Sequence, residues 1–132
     1  MITKKQAENH WAHHKYEIMA KGYQFYTTIR DRFREAGTEK EYLEILAEID
    51  VLTNKPYTKK GFVTTAEHMW GYFKKEATAS EKETFFMALQ ACSTLPDTFT
   101  KLEGAALDVI VALQQLERTY SRPYLAHSSL LQ

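Results

Sequence analysis

Two short stretches of this chain combine histidine, lysine and aromatic residues. The first is His-His-Lys at 13–15, and the second is His-Met-Trp-Gly-Tyr-Phe-Lys-Lys at 68–75. Imidazole and ammonium groups can hold an anion, and aromatic rings can stack on a nucleobase, so both stretches are candidates for a ligand-binding surface. Their spacing contains no nucleophile paired with a base, which leaves open whether the protein is an enzyme.

His14 interrupts an apolar stripe that recurs every three or four residues and includes Ala7, Trp11 and Ile18. A neutral imidazole in such a stripe costs free energy unless its nitrogens find partners. The favoured interpretation is a half-buried histidine with satisfied nitrogens that orients the first helix. The alternative is a polar pocket in which His14 and Lys15 contact an anionic or nucleobase ligand.

His10 and His14 have the spacing of two metal ligands on one helix face. A third ligand is missing, and Trp11 stands where the metalloprotease pattern has glutamate. Cys92 is the single cysteine, so the chain alone forms no disulfide, cysteine zinc site or iron–sulfur cluster. We therefore predict neither a metal site nor a cofactor.

In the second stretch, His68 and Tyr72 are four residues apart, so a continuous helix would bring them together as acid/base or hydrogen-bonding groups. Gly71 would lie inside that helix at a cost of about 1 kcal/mol relative to alanine. This cost indicates close helix packing, which is favoured, or a ligand lying against the backbone. Lys74 and Lys75 would form the solvated end of the helix.

The formal net charge is +0, whereas many nucleic-acid-binding domains are strongly basic. The charge is nevertheless segregated, and the two stretches lie in the two basic parts of the chain. Because Trp70 and most other aromatic residues also fit a helical core, the composition leaves nucleic-acid binding and core packing as alternatives. In the first case Tyr57, Trp70 or Tyr72 stacks on a base, and five lysines could follow a phosphate backbone: Lys55, Lys59, Lys60, Lys74 and Lys75.

Helical spacing of the apolar residues, with little glycine and proline, predicts an all-α fold. We expect one domain over residues 1–132, a bundle of about five to six helices. The first runs over 7–33, unbroken or as two nearly collinear parts meeting at Gly22. Others are predicted over about 42–52, 65–77, 81–92 and 99–120, the last as the central helix, with a basic loop at 54–63. Four capping-box spacings mark helix starts: Thr3/Gln6, Thr38/Glu41, Thr64/Glu67 and Ser80/Glu83.

From about residue 9 to residue 131, the order of these residues resembles the YbgA-type domain of unknown function. The resemblance rests on His14-Lys15, Met19, the His-x-x-Gly-Tyr-Phe-Lys element at 68–74, Glu81-Lys82, Pro96 and Tyr124-Leu125. The chain departs from that pattern after Leu125, where the family usually continues through a glutamine into a proline-rich end. By position, the resemblance implies these pocket residues: His14, Lys15, His68, Gly71, Tyr72, Lys74 and Tyr124.

Domains of this kind occur alone or fused behind an iron–sulfur domain similar to thiouracil desulfidases, an arrangement linked to sulfur removal from thiolated uridine in tRNA. The resemblance therefore implies a non-catalytic accessory module that binds tRNA or an iron–sulfur desulfidase-like partner. One alternative is an enzyme for a small nucleoside-type molecule with His14, His68 and Tyr72 as acid/base groups. Another is a structural module that forms a homodimer. We expect a cytoplasmic protein, because a single cysteine fits a reducing setting and the charged N-terminus has no apolar signal region. We expect no membrane contact, because no segment is long and apolar enough to cross a bilayer.

Overall fold

The computed structural model describes all 132 residues, and it confirms the all-α class. Seven α-helices are joined by short connections, and two strands of two residues each pair antiparallel. The seventh helix has only four residues, which explains the lower number predicted from the sequence. The elements are α1 Lys4–Lys21, α2 Tyr23–Glu35, α3 Glu39–Thr53, β1 Tyr57–Thr58, α4 Lys59–Trp70, α5 Ala79–Ala91, β2 Thr98–Phe99, α6 Ala105–Tyr120 and α7 Pro123–Ala126.

The predicted collinear path through Gly22 is wrong, because the chain reverses there. The Trp11 ring lies 5.8 Å from the Tyr26 ring and 6.4 Å from the Phe33 ring. A straight helix rises 1.5 Å per residue and would separate Trp11 from Phe33 by about 33 Å. Helix α2 therefore folds back beside α1, and the residues of the predicted apolar stripe face one another.

Two hydrophobic clusters form the core, and α1 contributes to both. Ile18 packs with α2 and α3 in the smaller cluster, whereas Met19 and Ala20 pack with α4, α5 and α6 in the larger one. The central helix is thus α1 and not the predicted helix over 99–120. The latter begins at Ala105 in the structure, because Phe99 pairs with Tyr57 in the small sheet.

Helix α4 begins six residues earlier and ends seven residues earlier than predicted. Thr58 caps its N-terminus and accepts a hydrogen bond from the Gly61 amide, so residues 59–63 are helical and not part of a loop. Gly71 follows the last helical residue, and turns occupy residues 71–76. The interpretation of Gly71 as a mid-helix glycine is therefore wrong.

The capping boxes are confirmed at two of the four predicted positions, Thr3/Gln6 and Thr38/Glu41. The Thr64/Glu67 spacing lies inside α4, where the backbone amides are already bonded within the helix. The Ser80/Glu83 start is wrong by two residues, since Thr78 and Glu81 form the box of α5. Thr78 and Ser80 each precede a glutamate by three residues, so both pairs have the spacing of a capping box.

The C-terminal segment is part of the core. Leu125, Leu130 and Leu131 are buried in the larger cluster. Ser129 donates a hydrogen bond to Glu17, and the Gln114 amide donates one to the Leu131 carbonyl oxygen. This segment therefore lies against α1 and α6 and fixes the position of α7. None of the helices has the length and apolar composition needed to cross a membrane.

Candidate nucleic-acid interface

Tyr16 and Tyr72 connect the two basic stretches of the sequence. Tyr16 follows directly after residues 13–15, and Tyr72 lies within residues 68–75. Their phenol oxygens lie 2.8 Å apart and share a hydrogen bond between α1 and the turn after α4. The Tyr72 ring in turn lies 6.1 Å from the ring of Tyr124 in α7. The first stretch, the second stretch and the C-terminal element thus meet at one place.

Lys15 lies at the same junction. Its Nζ is 5.1 Å from the centre of the Tyr16 ring, within the range of a cation–π contact. The Tyr16 side chain is buried and its hydroxyl is bonded to Tyr72, and Lys15 lines a cleft beside Tyr124 of α7. Burial, the bond to Tyr72 and the neighbouring Tyr72 and Tyr26 hydroxyls all raise the pKa of Tyr16 well above its ordinary value. Tyr16 is therefore neutral at physiological pH and acts as a positioning residue.

A row of rings extends from this junction along α2. The Trp11 and Tyr26 rings stack at 5.8 Å, and the Tyr26 and Tyr23 rings lie 5.5 Å apart. The Tyr23 ring then stacks on the His68 imidazole of α4 at 6.3 Å, with 21° between the ring planes. Tyr26 packs against the hydrophobic cluster that contains Tyr16, and the row of rings links His68 to this place.

We call this set the aromatic surface. Tyr124 and Tyr23 are exposed rings of this surface, with 70% and 43% of their residue surface accessible. Trp11, Tyr26 and Tyr72 are half-buried, and His68 is exposed. The surface consists of Lys15 and seven rings: Trp11, Tyr16, Tyr23, Tyr26, His68, Tyr72 and Tyr124.

A cleft of about 360 Å³ continues the aromatic surface beyond Tyr23. Lys60 and Thr64 of α4 line it opposite Gln24 of α2. Beside this cleft α4 approaches α1 closely because Gly61 has no side chain, and a Cβ there would lie 2.8 Å from the Ala20 carbonyl oxygen. We call this the Lys60 cleft.

A second cleft of about 350 Å³ continues the surface beyond Tyr124. It contains Lys15, His13 and His127, and it includes no carboxylate. His13 Nδ1 is hydrogen-bonded to the backbone carbonyl oxygen of His127, which fixes the imidazole against the C-terminal segment. We call this the Tyr124 cleft.

His14 lies apart from this surface, although the sequence placed it in the same pocket. Residues two apart in a helix project about 200° apart, so His14 faces away from Tyr16. Its Nδ1 is 3.1 Å from Glu17 Oε1. The favoured structural interpretation of His14, a half-buried imidazole with a partner, matches this geometry. The three acid/base groups of the enzyme alternative, His14, His68 and Tyr72, do not share one pocket.

Glu17 and Lys21 complete a polar line on the His14 side of α1. The Lys21 ammonium, only 5% exposed, donates to the carbonyl oxygens of Thr53 and Lys55 and lies 3.5 Å from Glu17. Burial lowers the pKa of Lys21, against the charge and hydrogen bond of Glu17. These partners tie α1 to the end of α3, which is a structural role. The His10 imidazole, 3.5 Å from Asp50, extends the same line.

No group of three His, Cys, Asp or Glu side chains in the structure could hold a metal ion. His10 and His14 do lie together, with ring centres 4.7 Å apart. Their nearest carboxylates, Asp50 and Glu17, each contact one of them. This pairing orients the two rings without forming a ligand set.

The lysines predicted to follow a phosphate backbone are divided by the fold. Lys60 lines its cleft beside Tyr23, whereas the Lys59 ammonium donates to the Ser93 carbonyl oxygen on another side of α4. The Lys55 ammonium lies over the Phe25 ring, 5.6 Å from its centre. Lys74 and Lys75 are exposed in the turns after α4, with Gly71. Among these lysines, Lys60 is the one that borders the aromatic surface.

Sequence reasoning missed Tyr16, Tyr23 and Tyr26 and assigned Trp11 to the core. Five of the eight tyrosines lie on the aromatic surface, although none of these five stands in a recognisable motif with the others. The signal was the close spacing of Tyr23 and Tyr26 directly after Gly22, where the chain reverses. Only the direction of that reversal brings them to Lys15.

A comparison with protein families gives one match. The family model described as Protein of unknown function (DUF1722) matches residues 15–132. The match includes the whole aromatic surface except Trp11. No curated protein and no solved structure matches the chain.

Proposed function

We propose that this chain, which belongs to the DUF1722 family of proteins of unknown function, is a non-catalytic module that binds RNA through the aromatic surface. The convergence of Lys15, His68, Tyr72 and Tyr124 carries the proposal. These residues come from three separate parts of the sequence, since only His68 and Tyr72 are close together, and they belong to three different helices and one turn. Tyr16 contacts Lys15 and Tyr72, and Tyr72 contacts Tyr124. Tyr23 links His68 to Tyr26, which packs against the hydrophobic cluster that contains Tyr16.

The exposed rings suit unpaired bases. Every base presents an aromatic face, and stacking of one base on a protein ring contributes about 1–3 kcal/mol. Tyr124 and Tyr23 offer open rings at the two ends of the surface, where the clefts begin. Because the rings lie between helices and are not presented on one protruding helix, the surface fits a flexible single strand better than a duplex groove.

Local positive charge supports the same ligand. Lys15 lines the Tyr124 cleft, Lys60 lines the Lys60 cleft, and neither cleft is lined by a carboxylate. A net charge of +0 gives no long-range attraction to RNA, so affinity must come from contacts within about one Debye length, roughly 8 Å at physiological salt. We therefore expect moderate affinity with a small salt slope of about two.

The resemblance to YbgA-type domains makes tRNA the RNA class that we propose. In that setting the domain would hold tRNA for a partner similar to the iron–sulfur desulfidases. Cys92 is buried and is the only cysteine, so any cluster chemistry would belong to the partner. The role proposed for this chain is recognition.

Competition between RNAs tests the proposal. A fluorescently labelled tRNA is titrated with the purified protein, and unlabelled single-stranded oligouridine or a perfect RNA duplex is then added as competitor. We expect the single strand to displace the tRNA at a lower concentration than the duplex. Absence of tRNA binding at 50 mM salt, or displacement by the duplex alone, would refute the proposal.

A further inference from the structure

We infer that the Tyr124 cleft binds a terminal phosphate monoester of the RNA chain, with the adjoining base stacked on Tyr124. This inference builds on the proposed function and assigns a particular part of the ligand to one end of the aromatic surface. The cleft, at about 350 Å³, is within the size range of small-molecule sites and could hold a single nucleotide.

The cleft contains three basic groups from two parts of the chain. Lys15 and His13 come from α1, and His127 follows α7. Asn9 adds an uncharged amide at the same wall. Lys15 and His13 project about 200° apart on α1, so they line the cleft from two sides. A phosphate monoester has three terminal oxygens, whereas a phosphodiester inside the chain has two, so three basic groups that line one cleft fit the monoester better.

The hydrogen bond of His13 determines which ring nitrogen can meet the ligand. A backbone carbonyl oxygen only accepts, so His13 Nδ1 carries a hydrogen and donates it to the His127 carbonyl. Nε2 is then the nitrogen left for a ligand, and it donates when the ring is protonated. The contact also holds the backbone of residue 127 against α1, at the cleft that the His127 side chain lines.

The charges around His13 allow an anion at this place. Its ring lies edge-on to the His14 ring at 4.7 Å, and His14 is in turn paired with Glu17. Glu17 is one helical turn from His13, but its oxygens are taken up by Ser129, His14 and Lys21. The Glu17 carboxylate is therefore engaged by its own partners and does not line the cleft.

Tyr124 supplies the apolar side of the same site. Its ring is 70% exposed and lies 6.1 Å from the Tyr72 ring, so one face is open for a base. A base on Tyr124 and its phosphate near Lys15 would occupy neighbouring positions along the cleft. The next bases would then continue along the rings toward Tyr23.

The test compares oligouridines of equal length with a terminal phosphate or a terminal hydroxyl, at the 5′ end and at the 3′ end. Affinity is measured by fluorescence anisotropy for the wild type and for His13→Gln, His127→Gln and the control His10→Gln. His10 is a half-buried imidazole of the same helix that lies outside the cleft and contacts only the exposed Asp50 and the His14 ring. We expect one phosphorylated end to bind about tenfold tighter than its hydroxyl counterpart, as a charged hydrogen bond implies, and the difference to disappear in the two cleft variants alone.

Equal affinity of both ends with and without phosphate would overturn the inference and leave the proposed RNA binding intact. A preference for phosphate that persists in His127→Gln and His13→Gln would overturn it too. If no RNA binds at all, adenosine monophosphate and adenosine are titrated while the histidine ring signals are followed by NMR. Shifts of the His13 and His127 signals with the monophosphate alone would support the cleft as a phosphate site, and unchanged signals would refute it.

Discussion

The hydroxyl oxygens of Tyr16 and Tyr72 lie 2.8 Å apart, and this hydrogen bond connects the middle of α1 to the turn that follows α4. Tyr72 belongs to the second basic stretch of the sequence, and Tyr16 directly follows Lys15. The bond therefore explains how two stretches more than 50 residues apart contribute to one surface. It also gives a buried tyrosine the partner that its hydroxyl requires.

Replacement of Tyr72 by phenylalanine should lower the free energy of unfolding by about 1 kcal/mol or slightly more, because Tyr16 would keep a buried hydroxyl without its partner. The measurement is urea unfolding followed by circular dichroism. Tyr23→Phe is the matched control, since the exposed Tyr23 has no hydrogen-bonded partner, and it should change stability by less than about 0.5 kcal/mol. Equal effects of the two variants would contradict the role given to the Tyr16–Tyr72 bond.

Gly61 allows the close approach of α4 to α1, and its replacement by alanine should destabilise the fold by about 1–3 kcal/mol. The added Cβ would lie 2.8 Å from the Ala20 carbonyl oxygen, a backbone atom that can move only with the helix. Gly37→Ala is the control, because a Cβ there meets nothing within 4 Å and the residue is not in the left-handed region. Thermal unfolding should show a clearly lower melting temperature for Gly61→Ala and a slightly higher or unchanged one for Gly37→Ala. An unchanged melting temperature for Gly61→Ala would show that α4 and α1 are less closely packed than the 2.8 Å distance implies.

Glu17 should make stability depend on pH in the acidic range. Burial alone would raise the pKa of this carboxyl, but hydrogen bonds from Ser129 and His14 and the charge of Lys21 outweigh burial and lower it. The carboxyl therefore has a lower pKa in the folded than in the unfolded protein, so the stability it adds is present above the unfolded value and is lost as the pH falls through the folded value. Urea unfolding at pH values from 7 to 3 should show this loss.

Glu17→Gln is the comparison for that pH dependence. The variant should be less stable than the wild type at pH 7, and the difference between the two should shrink as the pH falls toward 3. A constant difference over this range would mean that the ionised carboxyl contributes nothing specific. Glu83→Gln, an exposed carboxyl on α5 without an ion pair, should follow the wild-type profile.

Much of the fold could be predicted from the sequence because local signals were strong. The apolar stripes located every major helix, and the Thr3 and Thr38 boxes gave two helix starts correctly. Errors arose where local signals compete. Thr58 and Thr64 are both possible caps in the sequence, but Thr64 lies inside α4, and the pairing of Tyr57 with Phe99 in the small sheet ends at Thr58, which is the cap.

The site was harder to predict, because it depends on long-range geometry. Lys15, His68, Tyr72 and Tyr124 could be identified, but the reversal at Gly22 that brings Tyr23 and Tyr26 beside them left no local pattern. Similarly, Lys59 and Lys60 are equivalent in the sequence, and only the orientation of α4 directs one to Ser93 and the other to the cleft. Their different surroundings provide a direct test of the proposed interface.

The most direct measurement is the affinity for tRNA over a range of salt concentrations. It compares the wild type with variants that each lose one lysine charge and with a variant that loses an aromatic ring. We predict that Lys15→Gln and Lys60→Gln each weaken binding and each reduce the salt slope by about one, whereas Lys59→Gln changes neither. Tyr124→Ala should weaken binding about tenfold, because base stacking is lost. Met87 is an exposed apolar residue on α5, and its replacement by alanine should have little effect. If Lys59→Gln weakened binding as much as Lys60→Gln, or if Tyr124→Ala bound tRNA like the wild type, the aromatic surface would not be the RNA-binding site.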